Sequence, residues 1–98
     1  MLHIVNKSAL TNPALGSALR LAESGALLLI EDGVYAATRG QAAEGSVREA
    51  LGRLRVYALG PDLEARGVAD RLLDGVTVVD YGGFVDLVAE HTNCQSWL

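Results

Sequence analysis

At 98 residues the chain has room for one domain, residues 1–98, with a single core and much exposed surface. Eight basic against 12 acidic residues give a formal charge of −4. No Lys or Arg cluster is present, which argues against direct nucleic-acid contact, and the single cysteine excludes an internal disulfide and suits a reducing cytoplasm.

The opening MLHIVNK has no charged segment leading into a long apolar stretch, so no signal peptide is expected. Residues 2–5 form the first of four short, nearly continuous apolar runs, followed by 26–30, 56–59 and 76–79. Such runs suit strands covered on both faces, as in a parallel sheet. After the first, TNPALGSALRLAES predicts a helix with Asn12 as N-cap and Pro13 at the first helical position. Leu15, Ala18, Leu19 and Ala22 share one of its faces. The run at 26–30 is the longest, and far too short to span a membrane.

Beyond it, Asp32 and Gly33 turn the chain, and Val34, Tyr35, Ala36 and Ala37 stay apolar where a polar loop is expected. They read as a close-packing face offered to a neighbouring protein. TRGQAAEG at 38–45 predicts a mobile loop. SVREALGRL carries Ser46 and Glu49 at capping-box spacing and turns Val47, Ala50, Leu51 and Leu54 inward. PDLEARG predicts a short helix stopped at Gly67, and VADRLLDG a further turn. GGFVDLVAEH predicts a helix with Phe84, Leu87, Val88 and His91 on one side. The alternation predicts a single-domain α/β fold, an open, mostly parallel sheet of four to five strands with helices on both faces.

In such sheets function gathers beyond the carboxyl ends of the strands. Glu31, Asp32, Asp62 and Asp80 fall there, as a general acid/base pair or a cation site. Turn and cap chemistry accounts for the same residues without a ligand, and is the reading preferred in the absence of metal-ligand spacing. No glycine-rich nucleotide motif occurs; Lys7 and Ser8 could face an anion, although a polar turn explains them as well. Cys94 is the only candidate sulfur nucleophile. Its neighbours HTNCQSWL hold no Lys or Arg to lower its pKa, so it reads as a bystander. His91 and Cys94 are two potential zinc ligands without partners. His3 reads as packed in the first strand, and Tyr35 and Trp97 as interface aromatics. Half of the residues are apolar and the mean hydropathy is +0.24, more than so small an interior absorbs. The surplus is expected in subunit contacts.

Together MLHIVNKS, LLLIEDGVYAA, VYALGPDLEARG, VVDYGGFVDLVAEH and QSWL resemble the DsrH/TusB family over nearly the whole chain. The stretch at 40–67 resembles the DsrH branch of sulfur oxidisers more than the TusB branch. The resemblance implies a cytoplasmic heterohexamer with DsrE/TusD-like and DsrF/TusC-like subunits, relaying persulfide sulfur to a DsrC- or TusE-like carrier. One branch serves dissimilatory sulfur oxidation, the other 2-thiolation of tRNA wobble uridines. It further implies that the principal persulfide cysteine belongs to the DsrE/TusD subunit. Some members carry a cysteine in the first helix, where this chain has Ser17, Ala18 and Leu19. Cys94 inherits no role from that motif. The expectation is a noncatalytic structural subunit needing no cofactor or metal, with Val34, Tyr35, Ala36, Ala37 and Trp97 at interfaces. Persulfide carriage by Cys94 and small-molecule binding at the acidic rim are the competing readings.

Overall fold

The apolar run after Gly25 forms strand β2 (Ala26–Leu29), with all four side chains buried. Ala26 and Leu28 enter one apolar cluster, Leu27 and Leu29 another. The run does not alternate with polar residues because both faces of the sheet are covered there. A computed structural model describes residues 1–10 and 12–97; Thr11, at the entry to the first helical pattern, and Leu98, the end of QSWL, lie outside them.

Around β2 the described residues build one five-stranded sheet of order β4-β3-β2-β1-β5, with every pair parallel. Its other strands are β1 (Leu2–Val5), β3 (Arg55–Leu59), β4 (Thr77–Val79) and β5 (Cys94–Trp97). The first four coincide with the apolar runs to within one residue at each end. Strand β5 has no such run: Cys94, Gln95 and Ser96 are exposed. It returns past β4, β3 and β2 to pair with β1 at the far edge.

Helices α1 (Ala14–Leu21), α2 (Glu44–Ala50) and α3 (Gly60–Ala65) supply buried residues to the larger cluster on one face, and α4 (Tyr81–Glu90) covers the other. Helix α1 starts after Pro13, with the Asn12 carboxamide oxygen accepting from the Ala14 N–H at 2.8 Å. The N-cap is Pro13 rather than Asn12, which bonds from the residue before it, and the helix begins one position later than expected. Helix α2 departs further from expectation. It starts at Glu44, so Ser46 lies inside it and the Ser46–Glu49 capping box does not form. The Glu44 carboxylate accepts from the Gly40 N–H at 2.7 Å and pairs with Arg48 at 2.9 Å, and these two contacts hold its pKa below the ordinary value.

The segment at 38–45 is correspondingly tied down rather than free. Thr38 is buried and bridges to Leu72, and the Arg39 N–H donates to the Arg71 carbonyl at 2.8 Å. On α4, Leu87 is buried and Phe84 and His91 are half-buried, but Val88 faces out. Tyr81, Val85 and Val88, at i, i+4 and i+7, form an exposed apolar flank.

Val34, Ala36 and Ala37 correct the surface reading. They belong to a 3-10 helix, Glu31–Ala37, that folds back over the sheet, and all three are buried in the larger cluster of this same chain. Tyr35 alone among the four remains half-buried. Gly33 allows the approach: a Cβ there would stand 2.4 Å from the Val5 carbonyl oxygen. Gly33→Ala should therefore destabilise the chain by about 2 kcal/mol or more, within the range for overpacking against backbone. Gly45→Ala, in α2 with open space around it, should raise stability by about 0.5–1 kcal/mol; parallel denaturant melts of the two variants check both signs.

Candidate functional site

The carboxyl ends of β1, β2 and β3 bring together Asn6, Glu31, Asp32, Asp62 and Arg66. Glu31, immediately before the 3-10 turn deepens, takes a left-handed backbone conformation at φ 50°, which a non-glycine residue holds only under local constraint. The Asp62 carboxylate supplies it, accepting from the Glu31 N–H at 2.6 Å. Pro61 near the start of α3 fixes the turn that presents Asp62. One turn later Arg66 donates from Nε to Asp32 at 2.9 Å and brings Nη1 within 3.7 Å of Asp62. The Asn6 carboxamide donates to Glu31 at 3.5 Å, with its own oxygen enclosed and lacking a hydrogen-bond partner among the described residues.

Three of the four acidic residues anticipated on one rim thus lie together, Asp32 and Asp62 paired with Arg66 and Glu31 tied by its N–H to Asp62, an arrangement of turn chemistry. Asp80 serves separately, capping α4 by accepting from the Gly83 N–H at 2.8 Å. Among the described residues no group of three or more His, Cys, Asp or Glu could hold a metal ion. A cation at this rim would have to displace a guanidinium already paired with Asp32. The Glu31–Asp62 and Asp32–Arg66 links were not legible beforehand, because each spans more than thirty positions and neither partner has a distinctive local spacing.

Cys94 lies at the opposite end of the sheet. It starts β5 and pairs in register with Leu2, the first residue of β1, so the strand length of roughly 10 Å separates its level from the acidic rim. Its thiol is exposed. The His91 ring is engaged elsewhere, its Nδ1 donating to the Leu87 carbonyl at 2.8 Å. The structure therefore does not join His91 and Cys94 into a ligand pair. Ser17 accepts from Arg20 at 3.2 Å, while Ala18 and Leu19 are buried. Lys7 is exposed, and Ser8 holds a turn by accepting from the Leu10 N–H at 3.2 Å.

His3 is buried in β1, and Trp97, the second interface candidate, packs half-buried on the larger cluster. The indole Nε1–H donates to His3 Nδ1 at 3.2 Å. A second long-range contact comes from Arg53, whose guanidinium donates to the carbonyls of Leu19 and Ala22 and closes the end of α1. Nothing in the local sequence signals either contact. Between α1 and α2 runs an open groove of about 770 Å³, floored by small and apolar residues such as Ala9, Leu15 and Ala43 and edged by Arg20 and Glu49.

If the rim is a turn-holding network, Asp62→Ala should cost about 1–2 kcal/mol, the usual range for an unmet hydrogen bond. Calcium or magnesium should not move the melting temperature of the unmutated chain; a cation-dependent rise would mark a metal site instead.

The DsrH like protein family model matches residues 7–94. The chain is 36% identical over 97 residues to Protein TusB of Shigella flexneri, covering 99% of this chain and 100% of that one. It is 42% identical over 91 residues to Protein TusB of Salmonella dublin, covering 92% and 90%. The crystal structure of the ychN protein from E. coli superposes with a TM-score of 0.85 over 97% of both chains at 19% identity, a likeness of fold. A Methanobacterium thermoautotrophicum protein superposes at 0.76 with 26% identity, over 97% of this chain and 95% of that one. Sequence and fold agree: the chain belongs to the DsrH/TusB family of sulfur-relay proteins.

Proposed function

We propose that this chain is a noncatalytic supporting subunit of a DsrEFH/TusBCD-type sulfurtransferase assembly. Its work is to cover its apolar surface with kindred α/β subunits and to stabilise the one that bears the reactive thiol. The placement of Cys94 carries this reading. Sulfur transfer requires a thiolate activated by a neighbouring cation or base. The sole thiol instead sits at the start of an edge strand, and the nearby histidine ring is bonded to a helix carbonyl. The exposed flank of Tyr81, Val85 and Val88 supports the assembly role, since contiguous apolar surface of this kind favours protein contact. Tyr35 and Trp97, each with part of its ring still accessible, remain interface residues in this reading, whereas Val34, Ala36 and Ala37 support the interface from beneath.

The assembly is a heterohexamer with DsrE/TusD-like and DsrF/TusC-like partners, and passes sulfur to a DsrC- or TusE-like carrier in the cytoplasm. No helix among the described residues is long and apolar enough to cross a membrane. The resemblance at 40–67 favours service in dissimilatory sulfur oxidation. A second reading, a TusB-like subunit in tRNA wobble-uridine thiolation, is favoured by the names of the curated relatives.

Native mass spectrometry should find this chain in a defined complex when it is co-expressed with its two relatives, and self-associated or aggregated without them. After a persulfide donor is added, peptide mapping should place the sulfur on a partner. Cys94→Ser should leave transfer to the carrier unchanged. A stable monomer indifferent to the partners, or sulfur on the Cys94 peptide that is required for transfer, would refute the proposal. Deletion of the gene should impair growth on reduced sulfur under the first reading, and deplete 2-thiouridine in tRNA under the second.

A further inference from the structure

His3 and Trp97, 94 positions apart, meet across the junction of β1 with the edge strand β5. In the parallel register Gln95 stands beside His3 and Trp97 beside Val5, which makes the two rings diagonal neighbours on one sheet face. Their centroids are 6.2 Å apart with 30° between the planes. An indole N–H can only donate, so His3 Nδ1 must carry the lone pair and the ring must be neutral with its proton on Nε2. Trp97 packs on the larger cluster, whereas Cys94, Gln95 and Ser96 are exposed. The indole is thus the principal side-chain anchor of β5, and a titratable ring accepts its hydrogen bond.

We propose that the His3–Trp97 pair is a proton-operated latch: protonating His3 releases the carboxyl end of β5 from the sheet edge while the rest of the fold stays in place. An imidazolium carries N–H groups on both nitrogens, so Nδ1 would face the indole donor to donor. The bond is lost and a charge is left in a largely apolar setting.

The surroundings do not offset that charge well. Towards the start of β1 lies the Met1 ammonium. From the end of α1, Glu23 borders an open cleft of about 420 Å³ shared by His3, Leu21 and Trp97, but is itself exposed. Arg53 binds the carbonyls of Leu19 and Ala22 at the same helix end. The register neighbours on β2 and β5 are Leu27 and Gln95, which do not titrate. Burial, and after it the Met1 ammonium, hold the pKa of His3 below the ordinary value. A lowered folded pKa means that the unfolded chain takes up the proton first. The contribution to stability is therefore complete above about pH 6.5, and is lost as pH falls from there through the lower folded value.

Trp97 is the only tryptophan, so 5-fluorotryptophan places a single 19F reporter on the latch, in the chain alone or within an assembly. Between pH 8 and 5 the resonance should shift with one midpoint below about 6.5. Over the same range the protection factors of the β5 amides, corrected for the intrinsic rate at each pH, should fall while those of β2 and β3 are retained. His3→Gln should abolish the shift and His91→Gln should retain it. The proposal is overturned by a resonance that does not move, by a shift surviving in His3→Gln, or by loss of β2 and β3 protection at the same midpoint. Should His3→Gln fail to fold, 15N shifts of the unmutated His3 ring decide. Protonation of Nδ1 at the 19F midpoint supports the latch, and a different midpoint rejects it.

Discussion

An all-parallel sheet presents two apolar faces, and covering both is the constraint on which the rest of this structure depends. All four residues of β1 and all four of β2 are buried, so neither face of the sheet centre can be left to water. The α-helices among the described residues are short, from six to ten residues, and three of those four serve one face. Even there they do not suffice, and the segment after β2 is drawn in as a fourth covering element. Its apolar character, Val34 to Ala37, follows from that duty. On the other face α4 works alone. It buries Leu87 against Leu2, Ile4, Ala26 and Leu28 and leaves Tyr81, Val85 and Val88 in solvent.

The same constraint separates the polar chemistry into two ends. At the carboxyl ends of the strands the chain doubles back after β2, where Asp62 of α3 accepts from the Glu31 N–H and Arg66, just past that helix, pairs with the Asp32 carboxylate. The carboxylates of Asp32 and Asp62 are already engaged there, by a guanidinium and a backbone N–H. At the amino ends the sole thiol begins the edge strand β5, which pairs with β1 along its full length. The tryptophan that anchors this strand bonds to His3 on its neighbour. The parallel geometry keeps the acidic rim and the thiol a strand length apart.

Much of the fold was legible because its determinants are local. Short apolar runs marked β1 to β4, helical spacing marked the buried faces of α1 and α2, and Asp80 announced the cap of α4. The failures share a cause. Ser46 and Glu49 have capping-box spacing, but Glu44 captures the Gly40 N–H first and the helix starts three positions earlier. The 38–45 segment looks polar and free, yet its backbone pairs with Leu72 and Arg71, far along the chain. The sequence of β5 is too polar to declare a buried strand, because an edge position asks little of its side chains.

From its residues alone this protein is a small, acidic, parallel α/β domain of the DsrH/TusB family with more apolar surface than it can bury. Those properties depend on composition, periodicity and motif order, which the chain carries whatever its neighbours do. Tertiary structure alone decided that Val34, Ala36 and Ala37 lie inside rather than out, that Arg66 occupies the acidic rim, and that His3 meets Trp97. Each depends on which distant segment reaches a site first. No local pattern encodes that outcome, because it is fixed only when the two faces of the sheet are closed.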